Sequence, residues 1–208
     1  MANATLNSPR LVVEDALLVD AEAIATIGLA TFTQSFAHAV PPEHLQTYLD
    51  RTYTPDAIAK DLADPSNKFF IARLNPPSGL EYGGQVIGFI QMKLGTTEEC
   101  LPAGEQMCEL HRIYVSLDHI GSGTGQALVE RSLLWARKHL LGSGKGERSV
   151  DVAQTDVTKS EPLIWVGVWE QGVKAQRFYR RFGFGTVGTH DFAIGDTKHR
   201  DFIMVKRL

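Results

Sequence analysis

Cysteine is scarce in this 208-residue chain, and Cys100 and Cys108 are the two it has. They offer neither the density of a disulfide scaffold nor the spacing of a thiolate metal site, so both are expected to be reduced thiols, Cys108 in the core. An excess of basic residues is also missing: 21 Lys and Arg stand against 24 Asp and Glu, a formal net charge of −3. That balance argues against a nucleic-acid binder, which needs a basic face. There is no apolar run of 18 residues, and the opening MANATLNSPR lacks the apolar centre of a secretory signal. The expectation is therefore a cytoplasmic protein with no membrane association. His38, His44, His119, His139, His190 and His199 show neither HExxH nor another zinc spacing. Surface or capping roles are expected for them, and no metal. There is no internal repeat.

What is present suits one globular domain over 1–208, because 43% hydrophobic and 22% charged residues can enclose a sizeable core. Leu11 to Val13 reads as a first strand. Asp20 to Ala37 reads as a helix, with Ile24, Ile27, Leu29, Ala30 and Phe36 at helical spacing. A second helix starts near Pro42. Thr54-Pro55-Asp56 is a capped start for a third that runs to about Leu62. Phe69 to Leu74 and Val86 to Lys93 read as a hairpin with a long loop, and Met107 to Val115 as the next strand. From Gly125 a helix carries Leu128, Val129, Leu133, Leu134 and Ala136 on one face and ends near His139. The polar stretch 141–161 is long for a compact domain and reads as a flexible insertion. Leu163 to Val168 is an apolar strand, Lys174 to Arg181 a helix, and Thr186 to Phe192 with Phe202 to Val205 a closing antiparallel pair.

The segment ELHRIYVSLDHIGSGTGQAL, Glu109 to Leu128, joins a strand to an amphipathic helix through Gly121, Gly123 and Gly125. Such a loop lets main-chain amides approach an anion, and the helix adds free N–H groups and the positive end of its dipole. A P-loop is excluded because the segment has no lysine at the required place. GSGKG at Gly142 to Gly146 has His139 where the first glycine belongs and Gly146 where the hydroxyl belongs. A dinucleotide fingerprint needs Gly or Ala at Gln126 and a glycine close to the strand end, whereas Ser116 to Ile120 intervene after Val115. A pyrophosphate site of another kind remains.

Here the chain resembles the GNAT superfamily of N-acetyltransferases, whose acyl-CoA pyrophosphate loop Q/R-x-x-G-x-G/A follows a strand of the RxYV kind. Arg112, Tyr114 and Val115 match the strand. Ile120, Gly121, Ser122, Gly123, Thr124 and Gly125 match the loop, except that Ile120 replaces the usual Gln or Arg. A second block, Ile164 to Phe184, resembles the family's ExNxxAxxFYxxxGF. Glu170, Ala175, Phe178, Tyr179, Gly183 and Phe184 fall in register, and Gly172 stands where Asn is frequent. Over the whole chain the resemblance extends to bacterial polyamine N-acetyltransferases of the PaiA type, through ELHRIYV, IWVGVWE and the tail GTHDFAIGDTKHRDFIMVKRL.

The resemblance implies a GNAT-like α/β fold, with a mixed, mostly antiparallel sheet of about seven strands flanked by helices. It implies acetyl-CoA as cosubstrate, contacted around Ile113, Tyr114 and Val115, the loop from Ile120 to Gln126, and Gly172, Ala175 and Phe178. It further implies acetyl transfer to a primary amine, with spermidine or spermine leading. A peptide amine acetyltransferase and a non-catalytic acyl-CoA sensor are the alternatives. Family members are often dimers, so a homodimer is compatible.

Attack of an amine on a thioester needs the free amine, which at pH 7 is a deficit of roughly 4.6 kcal/mol for a pKa of ~10.4. Glu109, His111 or a water relay are the candidate means of removing the proton. Strand alternation is expected to put Glu109, His111, Ile113 and Val115 on one face, and Leu110, Arg112 and Tyr114 on the other. Tyr179 is the implied proton donor to the leaving thiolate. Arg177, Arg180 and Arg181 are within reach of a cofactor phosphate or form a solvated face, and Glu98 and Glu99 precede the strand as an acidic loop.

Overall fold

The structure, a computed structural model, describes residues 9–75, 84–142 and 161–208. Most of the expected insertion, residues 143–160, and the centre of the expected hairpin loop, 76–83, lie outside them. Seven strands form one sheet: β1 (Arg10–Asp15), β2 (Asn67–Asn75), β3 (Gln85–Leu94), β4 (Met107–Val115), β5 (Leu163–Trp169), β6 (Gly185–Ile194) and β7 (Thr197–Arg207). Their order is β1-β2-β3-β4-β5-β7-β6. Every pairing is antiparallel except β4 with β5. The mixed, mostly antiparallel α/β sheet is the one expected.

One face is covered by α4 (Thr124–Gly142) and α5 (Val173–Arg181), which enclose Phe70, Ile90, Leu110, Leu128, Ile164 and Met204. Against the other face pack α1 (Ala21–Phe36), α2 (Pro42–Thr52) and α3 (Pro55–Ala63), over Phe69, Ile71 and Phe89. Farther along that second face, Leu101 closes over Leu163, Trp165 and Ile203.

Three details depart from the expected pattern. In α1 the buried stripe is Ala21, Ile24, Ala25, Ile27, Gly28 and Phe32, whereas Leu29 and Ala30 are exposed. The helix packs one face on the sheet, and the 3.6-residue period turns 29 and 30 away from it. In α4, Leu134 is 63% exposed, and the helix runs three residues past His139 to Gly142. His199 is buried, with its ring stacked on Phe192 at 5.3 Å, and is not a surface residue.

The start of α3 follows the sequence logic directly. Pro55 takes the first helical position, and the Ala57 N–H donates to Thr54 Oγ1 at 3.1 Å. Thr54→Ala is expected to lower stability by about 1 kcal/mol, read as a lower urea midpoint with an unchanged slope. The two thiols also differ: Cys108 is fully buried and burial pushes its pKa up to about 12, while Cys100 is exposed. A disulfide reagent is expected to titrate one thiol per native chain and both in guanidinium. Two fast thiols in the native protein would contradict this packing.

Candidate active site

β4 and β5 are joined by only three residue pairs, Met107 with Leu163, Cys108 with Ile164, and Glu109 with Trp165. Beyond Glu109 they diverge, while β4 stays paired to β3 as far as Val115 and β5 to β7 as far as Trp169. The β5-facing N–H and C=O groups from Leu110 to Val115 therefore border a cleft and not a neighbouring strand.

A groove of about 620 Å³ follows from this separation. Ile113, Tyr114 and Val115 form its strand wall, continued by His119, Ile120, Gly121, Gly123, Gly125 and Gln126. Across it stand Lys174, Ala175, Phe178, Tyr179 and Arg181 of α5, with Thr31 of α1 at one side. Gly121 and Gly123 have φ of 84° and 87°, and a side chain there would meet nothing within 4 Å. Left-handed backbone, and not crowding, is what calls for glycine at both. The first bond into α4 runs from Ala127 N–H to Gly123 C=O, so the amides just before it end the loop as unpaired donors. No acidic residue lines the groove among the described residues, and Lys174 and Arg181 do. Amide donors, a helix N-terminus and two cations fit the pyrophosphate and phosphate groups of an acyl-CoA.

Three of the residues assigned to cofactor contact do not line the groove. Ser122 and Thr124 turn to one another at 2.8 Å, Thr124 being buried, and thereby shape the turn. Gly172 caps α5, where its N–H donates to Trp169 C=O at 2.8 Å. Lys174, Arg181, His119 and Thr31 enter the wall without having been assigned to it. Lys174 is signalled by its place one helical turn before Phe178, and Arg181 is one of the three arginines within reach of a cofactor phosphate. Thr31 comes from a distant helix and leaves no local signal.

The expected alternation along β4 fails at one place. The pairing with β3 passes from Gln91–Arg112 to Met92–Leu110, leaving His111 as an extra residue. This bulge changes the parity of the strand. Cys108 and Leu110 now share the α4 and α5 core with Ile113 and Val115, and Tyr114 packs in the opposite layer. Glu109, opposite to Leu110, is thus not on the face of Ile113 and Val115. It stays with His111, whose Nδ1 lies 2.7 Å from Glu109 Oε1. An ionised carboxylate only accepts, so Nδ1–H donates and the lone pair of a neutral ring resides on Nε2. Burial alone would raise the Glu109 carboxyl, but the hydrogen bond and charge of His111, with Lys93, hold it below the ordinary range.

Tyr179 is 5% exposed, with its ring 5.4 Å from that of Phe178 and 5.6 Å from Phe184. Burial, then the neighbouring Tyr114, pushes its phenol well above the ordinary value. Tyr114 itself is pushed up to about 12 by burial, although Tyr53 O–H donates to it at 3.1 Å. Both phenols are neutral donors throughout the physiological range. Glu98 is held by His190 Nδ1 at 2.8 Å and is not a free acidic loop residue.

Comparison with known proteins agrees with this geometry. The sequence profile described as "Acetyltransferase (GNAT) domain" matches residues 65–186, which include the β4 loop and α5. An uncharacterised N-acetyltransferase of Mycobacterium tuberculosis is 25% identical over 92% of this chain and 99% of its own. One from Lactobacillus delbrueckii subsp. lactis is 26% identical over 88% of each. Among solved structures, a PaiA N-acetyltransferase from Thermoplasma acidophilum in complex with coenzyme A superposes with a TM-score of 0.61. It is 18% identical, over 96% of this chain and 99% of that one. NAA60 of Arabidopsis thaliana in complex with a bisubstrate analogue gives 0.63 at 13% identity, over 95% and 98%. Separated strands, a glycine loop opening α4 and a matching profile across more than half the chain converge: the protein belongs to the GNAT family and is an acetyl-CoA-dependent acyltransferase.

Proposed function

We propose that the whole chain acts as one domain that transfers the acetyl group of acetyl-CoA to a primary amine, with a small polyamine such as spermidine or spermine as leading acceptor. The observation that carries the amine reading is the Glu109–His111 pair, held at 2.7 Å on β4 where the pairing with β5 ends, although neither residue is in the lining of the groove itself. The polyamine reading is supported by the carboxylates of Glu98, Glu109 and Asp201 on the face opposite α4 and α5, and by the fold shared with a protein described as PaiA.

In this reading the amide donors of Gly121 to Gln126, with Lys174 and Arg181, hold the cosubstrate's phosphates. Main-chain N–H groups of β4 near Ile113 to Val115 polarise the thioester carbonyl. Glu109 fixes the tautomer of His111, and His111 Nε2 accepts the amine proton directly or through a water. The nitrogen lone pair forms the C–N bond as the C–S bond breaks, and Tyr179 donates a proton to the departing sulfur. Its raised pKa keeps that proton in place until a thiolate, made more basic by the same burial, is there to take it.

A peptide amine is the second reading. A hollow of about 430 Å³ between α2 and the β6–β7 turn is lined by His44, Tyr48 and Arg51, groups suited to a carboxylate-bearing chain. The fold is also shared with NAA60.

Thiol release from acetyl-CoA across polyamines, arylalkylamines and peptide N-termini separates these readings, with saturable turnover of spermidine or spermine expected. Tyr179→Phe is expected to lower kcat by about 10²- to 10⁴-fold and leave acetyl-CoA binding within about twofold. An unchanged kcat would remove Tyr179 from the chemistry.

A further inference from the structure

Asp201 lies on β7, level with Trp169 on one side and His190 on the other. Residues paired across neighbouring strands share a face, and Ile203 and Val205 of the same strand belong to the layer of Leu163 and Trp165. Asp201 therefore faces away from α4 and α5, on the side to which alternation also turns Glu109.

Its carboxylate leans over β5 at Gly167. A Cβ built there would lie 2.9 Å from Asp201 Oδ2, and its three nearest neighbours are all atoms of the Asp201 side chain. Gly167 thus leaves the space that the carboxylate occupies. Glycine inside an otherwise apolar strand, LIWVGVW, weakens it and marks a close approach.

No described side chain donates a hydrogen bond to this carboxylate, and no ion pair holds it. His190, paired with Asp201 across the strands, opposes its burial electrostatically, yet its Nδ1 is already given to Glu98 at 2.8 Å. Tyr114, at the mouth of the cleft on β4, is close enough for Asp201 to raise its pKa. Burial pushes the Asp201 carboxyl up to about 6, with His190 opposing and Glu98 adding to the shift. Beside it the rings of Trp169 and Phe36 pack at 5.0 Å, an apolar wall next to the charge.

We propose that Asp201 is a specificity-determining residue, the carboxylate that binds the ammonium group of the acceptor above Gly167 while Trp169 and Phe36 pack against its methylenes. The inference rests on the amine-acetylation reading and assigns that reading its recognition element. A half-buried carboxylate without a partner is a cost to the fold that a cationic ligand removes, and Glu109, already hydrogen-bonded to His111, is less available for that role.

The test measures Asp201→Asn and Gly167→Ala in steady-state kinetics with spermidine, together with thermal unfolding. Asp201→Asn is expected to raise the KM for spermidine roughly 10- to 100-fold, with the KM for acetyl-CoA within about twofold of wild type. Its melting temperature at pH 8 is expected to be no lower than wild type. A carboxyl whose folded pKa is raised reduces stability above that pKa, and the penalty disappears below the unfolded value of ~3.9. Gly167→Ala, which crowds the carboxylate, is expected to shift the spermidine KM in the same direction. An unchanged spermidine KM in Asp201→Asn overturns the assignment, as does a lower melting temperature with both KM values raised, which would mark a structural residue. Wild-type protein that acetylates no amine at all overturns the functional reading itself, and this inference with it.

Discussion

The short parallel pairing between β4 and β5 is the constraint on which the rest of the molecule depends. Three residue pairs hold the two strands together, and the chain then inserts His111 as a bulge on β4. A bulge bends its strand and increases the local twist, so continued pairing with a neighbour on the far edge becomes difficult. β5 keeps its other edge filled by β7 along its whole length, and β4 keeps β3. The sheet therefore stays intact on both sides of a cleft that passes between its halves. Unpaired main-chain groups inside a protein are costly unless a ligand or water meets them. A cleft bordered by them is stable as an opening for a chain-like cosubstrate that can supply the missing partners.

Charge divides the two sides of that opening. The groove beside α4 and α5 has amide donors, Lys174 and Arg181, with no carboxylate among its described lining residues. Behind it, on the α1–α3 side, Glu109 and Asp201 are partly buried and Glu98 is paired with His190. A formal net charge of −3 conveys none of this, because the separation is one of position and not of composition. Tyr114 and Tyr179 both line the groove, although Tyr179 packs in the α4 and α5 layer and Tyr114 in the layer of α1 to α3.

Much of this was legible in the sequence where the determinants are local. Met107 to Val115 has the bounds expected of it, Thr54 and Pro55 open α3 as their chemistry dictates, and Gly121 and Gly123 have the left-handed backbone that a phosphate loop needs. The bulge at His111 was not legible, since it is decided by register against β3, which strict alternation does not contain. For the same reason the facing of Glu109 and Leu110 came out reversed with respect to Ile113 and Val115. Leu29 and Leu134 are apolar yet exposed, because helix faces are chosen by the layer they pack on and not by composition alone. Asp201 leaves no local signal in the sequence, because its significance comes from Gly167, thirty-four positions away in the chain and adjacent only once β5 and β7 pair.

Amide hydrogen exchange with and without acetyl-CoA tests the central claim most directly, that the cleft between the diverging strands is where the cosubstrate binds. The account predicts slowed exchange at Ile113 to Val115 and Gly121 to Gln126, with the edge of β1 unchanged. Protection confined to other surfaces, or saturated binding that leaves those amides exchanging as before, would contradict it.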